Sequence, residues 1–167
     1  MKSLRRKIVL GILGAAFGCS ALGAEETPLE NESLGKLKLG QKAAEVTTLI
    51  GKPESKGKDT EWGATGEWVQ EWTFKKQGLT LNLASEKKGG AKTVLMITAE
   101  APCSLATKRG IRIGSTSAEV TKAYGDVQDK EQSEAGKTFV AGSVYGGVIF
   151  SFTGGKVSQI FIGAAAE

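Results

Sequence analysis

Histidine is absent from the 167-residue chain. With it go the commonest general base, the commonest metal ligand and the usual partner of a serine or cysteine nucleophile, so triads of the familiar kind are excluded. Cysteine is scarce too, with Cys19 and Cys103 the only two, and no thiolate zinc cluster can be built from them. Long apolar runs are missing: Ile8 to Phe17 is about ten residues, where a spanning helix needs about twenty. The carboxylate pairs Glu67 with Glu71 and Asp126 with Asp129 sit in no catalytic motif. Gly146-Gly147 and Gly154-Gly155 lack the lysine-serine ending of a phosphate loop and read as turn glycines. The expectation is a protein that is not an enzyme, with no metal and no cofactor.

What is present begins with a basic and then apolar leader. Lys2, Arg5, Arg6 and Lys7 precede the Ile8 to Phe17 run and a small-residue stretch, the pattern of a secretory signal peptide. Two processing routes fit. Ala21-Leu22-Gly23 before Ala24 suits a signal peptidase and makes residues 1–23 the leader. Ala16-Phe17-Gly18-Cys19 resembles a lipobox, which makes the leader 1–18 and puts a lipid on Cys19. Either route sends the chain to the periplasm or cell envelope, in contact with membrane only through a Cys19 anchor. Cys103 is then the sole thiol of the folded part. No internal disulfide is possible there, and Cys103 reads as a buried residue, with a bridge between two chains as the alternative.

Four of the 22 Lys and Arg stand in the leader, so the remaining 18 balance the 18 Asp and Glu. The mature chain lacks the basic field that nucleic acid requires, and DNA or RNA is excluded as a partner. Residues 24–33 form an acidic linker; Ala24 to Glu32 holds four glutamates and a proline and reads as a solvated spacer.

The strongest pattern is internal. Leu37-Lys38-Leu39-Gly40 through Glu45-Val46-Thr47 returns as Ile111-Arg112-Ile113-Gly114 through Glu119-Val120-Thr121, so Gly40 and Gly114 are 74 residues apart. Six positions are identical as far as Gly51 and Gly125. Self-similarity of this kind makes each copy one supersecondary unit, here residues 34–101 and 102–167. In the second, Thr116 and Glu119 have capping-box spacing, and Val120, Ala123 and Tyr124 lie on one helical stripe. Gly125 reads as a left-handed residue closing that helix, as Gly51 and Pro53 close the one carrying Val46, Leu49 and Ile50.

Three strand-like segments follow each helix: Trp68 to Phe74, Leu79 to Leu83 and Val94 to Ala99, then Thr138 to Val144, Val148 to Phe152 and Val157 to Ile162. Gly78 and Gly147 punctuate the first hairpins, Gly89-Gly90 and Gly154-Gly155 the second. The predicted fold is α+β: two tandem helix-plus-antiparallel-meander repeats forming one curved sheet, or two abutting ones, with the helices on one face.

The pattern Leu37-x-Leu39-Gly40, Glu45-Val46, Gly51-x-Pro53, Trp72-x-Phe74 and Gly78 before an apolar strand resembles a known superfamily. It joins beta-lactamase inhibitory protein with the small outer-membrane-assembly lipoproteins of the SmpA/OmlA kind. The second copy, from Thr107-x-Arg109-Gly110 to Tyr124-Gly125, is similar to two-repeat bacterial lipoproteins and secreted proteins. The resemblance spans nearly all of Leu34 to Gly163 and implies protein binding on a sheet. It departs from the inhibitor, whose aromatic-rich loops and internal disulfides a single mature cysteine cannot supply.

Alternation places Leu79, Leu81, Leu83, Val148, Phe150 and Phe152 under the helices, with Leu95, Ile97, Ile160 and Ile162 on the same side. Met96, Gln159 and Phe161 then turn to the free face, together with Ile149. Trp72 and Phe74 read as core, and Trp62, beside Gly63, as the exposed tryptophan. The expected function is an exported protein-binding module, inhibition being one form of it, whose partner is an envelope or secreted protein held on Met96, Ile149 and Phe161 with Trp62 at the edge. The alternative is a membrane-tethered accessory lipoprotein of the outer-membrane-assembly type.

Overall fold

The computed structural model describes residue 29, residues 31–63 and residues 65–165; the leader, its cleavage site, Cys19 and most of the acidic linker lie outside the described residues. Among the described residues there are two α-helices, α1 (Ala43–Ile50) and α2 (Ser117–Tyr124). Nine strands accompany them: β1 (Ser55–Lys56), β2 (Thr60–Glu61), β3 (Trp68–Phe74), β4 (Leu79–Ser85), β5 (Thr93–Glu100), β6 (Gln128–Glu134), β7 (Thr138–Ser143), β8 (Gly146–Thr153) and β9 (Lys156–Gly163). The class is α+β with an antiparallel sheet.

The strands form one sheet in the order β1-β3-β4-β5-β9-β8-β7-β6, with β2 sharing the β3 edge. The six longer strands expected from alternation are all present. The join between the two halves is the β5–β9 pair, which sets Ile97 opposite Ile162 and Ala99 opposite Ile160. Because the halves meet edge to edge, they do not fold their free faces against each other.

Alternation decides the core. Leu79, Leu81, Leu83, Val148 and Phe150 are buried, as are Ile97, Ile160 and Ile162, and they pack in one cluster with Val46 of α1 and Val120 and Tyr124 of α2. The Tyr124 ring lies 5.1 Å from that of Phe150. Each such side chain contributes about 1.5–3 kcal/mol on burial, which is what holds eight-residue helices that would not persist alone.

Two expected core positions move. A register shift between Asn82 and Leu83 pairs Leu83 with Val94 and Asn82 with Met96, so Leu95 is the extra residue of a bulge and Val94 takes the buried place. A second shift between Ser151 and Phe152 leaves Phe152 half-buried at the margin of the core.

Thr116 caps α2 as its sequence requires. Its hydroxyl accepts from the Glu119 amide, and the Glu119 carboxylate accepts from the Thr116 amide at 2.7 Å. Bonds donated to the Glu119 carboxylate by the Thr116 amide, and secondly by the Thr116 hydroxyl, hold that carboxyl below its ordinary range. Gly125 is not left-handed: at φ −63° it continues into a short 3₁₀ turn, Gly125–Val127. Gly147 is not a turn residue either. The β7–β8 turn is Val144-Tyr145, and Gly147 stands inside β8, where a Cβ would come within 2.3 Å of the Ala141 carbonyl.

The acidic linker is not solvated to its end. Glu32 and Ser33 are buried. One Glu32 oxygen accepts from the Ser33 and Lys108 amides at 2.9 and 2.8 Å, and the other accepts from the Tyr124 hydroxyl at 2.8 Å. The Gly35 amide adds a bond to the Ala106 carbonyl, so the start of the first half is clasped to the start of the second.

Candidate interaction face

On the face away from the helices, register sets one row across the sheet: Thr73 opposite Thr80, Thr80 opposite Thr98, Thr98 opposite Phe161, and Phe161 opposite Ile149. Beside it Asn82 stands opposite Met96, and Gly163 opposite Gly147. A Cβ on Gly163 would sit 3.1 Å from Met96 Cγ, so Met96 lies against bare backbone. Met96, Ile149 and Phe161 are therefore brought together, each half-buried, on three adjacent strands.

The surroundings of this trio are polar. Glu100 pairs with Gln159, and Gln159 with Ser151; the Gln159 amide donates to the Glu100 carboxylate at 2.7 Å. With Thr80, Thr98 and Asn82 they frame a small apolar centre, the arrangement in which a few large side chains carry most of an interface.

Trp62 is not part of that centre. It lies half-buried in a tight loop between β2 and β3, its amide donating to the Glu67 carbonyl at 2.8 Å and its carbonyl accepting from the Gly66 amide at 2.7 Å. Strands β3 and β4 separate it from Met96, roughly 14 Å at the usual strand spacing. It marks the rim.

Elsewhere, several titratable groups are occupied by structural bonds. The three donors to Glu32 use both of its oxygens, and burial pushes the Tyr124 hydroxyl well above its ordinary range, so this pair is a clasp and not an acid–base couple. Arg109 lies 4.8 Å over the Tyr124 ring and is bound to the Ala123 carbonyl and Asp126. Asp129 accepts from the Glu131 and Gln132 amides. The Lys92 ammonium donates to Asp59 at 2.6 Å and holds that carboxyl below its usual range. Cys103 is buried, and burial pushes its thiol up. Among the described residues no three His, Cys, Asp or Glu side chains are grouped to hold a metal.

Sequence reasoning missed another surface. Leu39 and Leu49 are 42% and 40% exposed, although the stripe of α1 assigned Leu49 to its apolar side. The clue was local: Val46 alone is fully buried in a helix of only eight residues, leaving the flank open. No protein-family model matches the chain, and neither a curated protein nor a solved structure matches it.

Proposed function

We propose that the chain is an exported, non-catalytic protein-binding module of the cell envelope, built from two copies of one helix-plus-meander unit, which seats its partner on the free sheet face. The observation that carries this reading is the Met96, Ile149 and Phe161 cluster, three large apolar groups on the layer that neither α1 nor α2 covers. Burying them against a partner contributes roughly 1.5–3 kcal/mol each before ordering costs, enough for a few to decide affinity.

Matching hydrogen bonds support the two-copy reading. The Gly40 amide donates to the Val94 carbonyl and the Val94 amide to the Gln41 carbonyl; Gly114, Val157 and Ser115 repeat the exchange. Resemblance to inhibitors and outer-membrane-assembly lipoproteins accords with sheet-face binding. The test is substitution of Met96 and Phe161 by serine in the exported protein. Partner capture should fall at least tenfold with the melting temperature nearly unchanged, whereas marked destabilisation with capture intact would assign these residues to the fold alone. Mass spectrometry of the mature N-terminus decides between a free start near Ala24 and a diacylated or triacylated Cys19, the latter favouring the tethered accessory.

A further inference from the structure

The second exposed apolar site lies in the helix layer, on the other side of the molecule from the free sheet face. Leu49 stands on the wall of a surface depression of about 530 Å³ together with Lys36, Lys38 and Lys108. Leu39 follows Lys38 in the turn that enters α1, and Lys42, also exposed, ends that turn. Among the described residues none of these four lysines is in an ion pair. The nearest acid on the helix is Glu45, one turn before Leu49 and outside the depression; Glu32 faces inward.

The fold does not demand this combination. At the positions aligned with Leu39 and Leu49, the second half carries Ile113 and Ala123, both packed against the core, and Gly110 stands in place of Lys36. Asn31 and Ser33 also wall the depression, and two residues before Asn31 the chain is tucked back into the body at Leu29, which is buried in the core cluster. Cys19 is ten residues before Leu29, a span of at most about 35 Å.

We infer that this surface docks on an anionic phospholipid bilayer, the lysines meeting headgroup phosphates and Leu39 and Leu49 entering the interface. Exposed leucines set among lysines, with no carboxylate among the described residues that line the depression, are the chemistry of a peripheral membrane contact. An acidic protein is the other occupant that this charge admits, and an absence of binding to anionic vesicles would point to it. Docked this way, the body presents the sheet face away from the membrane.

The experiment uses the chain without residues 1–23, which keeps every described residue and removes any lipid on Cys19. Its sedimentation is measured with vesicles of phosphatidylglycerol and phosphatidylcholine in equal parts, and with phosphatidylcholine alone. Binding is expected to the first and not the second, and to be lost in 0.5 M salt. Each lysine near an anionic surface is worth about fivefold in partition. Lys36→Gln, Lys38→Gln and Lys108→Gln together should therefore weaken binding about a hundredfold, while Lys75→Gln, Lys76→Gln and Lys130→Gln together, elsewhere on the surface, should change it less than tenfold. Leu39→Ser with Leu49→Ser should weaken it about tenfold or more at unchanged melting temperature. Equal binding to neutral vesicles, no binding to anionic ones, or equal losses from the two lysine sets would overturn the inference.

Discussion

Replacing Tyr124 by phenylalanine removes one oxygen and leaves the ring on Phe150 and under Arg109. The lost bond runs 2.8 Å to a buried carboxylate oxygen of Glu32 that has no other donor among the described residues. A hydrogen bond to an ionised group contributes about 1.5–3 kcal/mol, and stranding the acceptor costs at the upper end of that range. For a body of this size the melting temperature should fall by about 5–10 °C. The pH dependence adds a signature. Because burial raises the folded-state value of Tyr124, its contribution is complete below pH 10, where the unfolded tyrosine also holds its proton, and is lost as pH rises beyond it by about 1.4 kcal/mol per unit. Urea unfolding followed by circular dichroism at pH 7 and at pH 10–11, for wild type, Tyr124→Phe, Glu32→Ala and the double variant, measures both effects. The double-mutant cycle should give a coupling of about 1 kcal/mol or more. A coupling near zero, or an alkaline stability loss identical in wild type and Tyr124→Phe, would refute the clasp.

Gly147→Ala should cost about 2–3 kcal/mol, read as a lower urea midpoint, because its Cβ meets the Ala141 carbonyl and backbone must move. Thr116→Ala should cost about 1 kcal/mol by removing the capping box of α2. The N-cap of α1 is Lys42, already extended and without a side-chain cap, so Lys42→Ser should raise stability by about 0.5–1 kcal/mol in the same assay. Cys103 should react with a thiol reagent at least about tenfold more slowly in the native protein than in urea, since burial both covers the thiol and disfavours the thiolate.

The legible part of this fold was the part written in period-two alternation and capping chemistry. Leu79-x-Leu81-x-Leu83 and Val148-x-Phe150 announce which face is inside, and Thr116 with Glu119 announces where α2 starts. Strand β6, Gln-Asp-Lys-Glu-Gln-Ser-Glu, carries no apolar alternation at all. It is a strand because β7 offers it an open edge, and its charges suit an edge that must stay unpaired. The bulge at Leu95 was hidden for a related reason: one inserted residue leaves composition unchanged and only the partner strand reveals it. Glu32 read as one more acid of a solvated spacer because its partners Lys108 and Tyr124 lie far along the chain, beyond any local pattern. On the candidate face, Met96, Ile149 and Phe161 followed from alternation. The distance of Trp62 from them depended on which strand β2 pairs with.

Site-specific photo-crosslinking in the native envelope tests the central claim most directly. A photoreactive residue is placed at Phe161, at Ile149 and, as the opposite surface, at exposed Lys122 of α2. The account predicts one protein adduct shared by positions 161 and 149 and absent from 122. An adduct at 122 with none at 161 or 149 would contradict it.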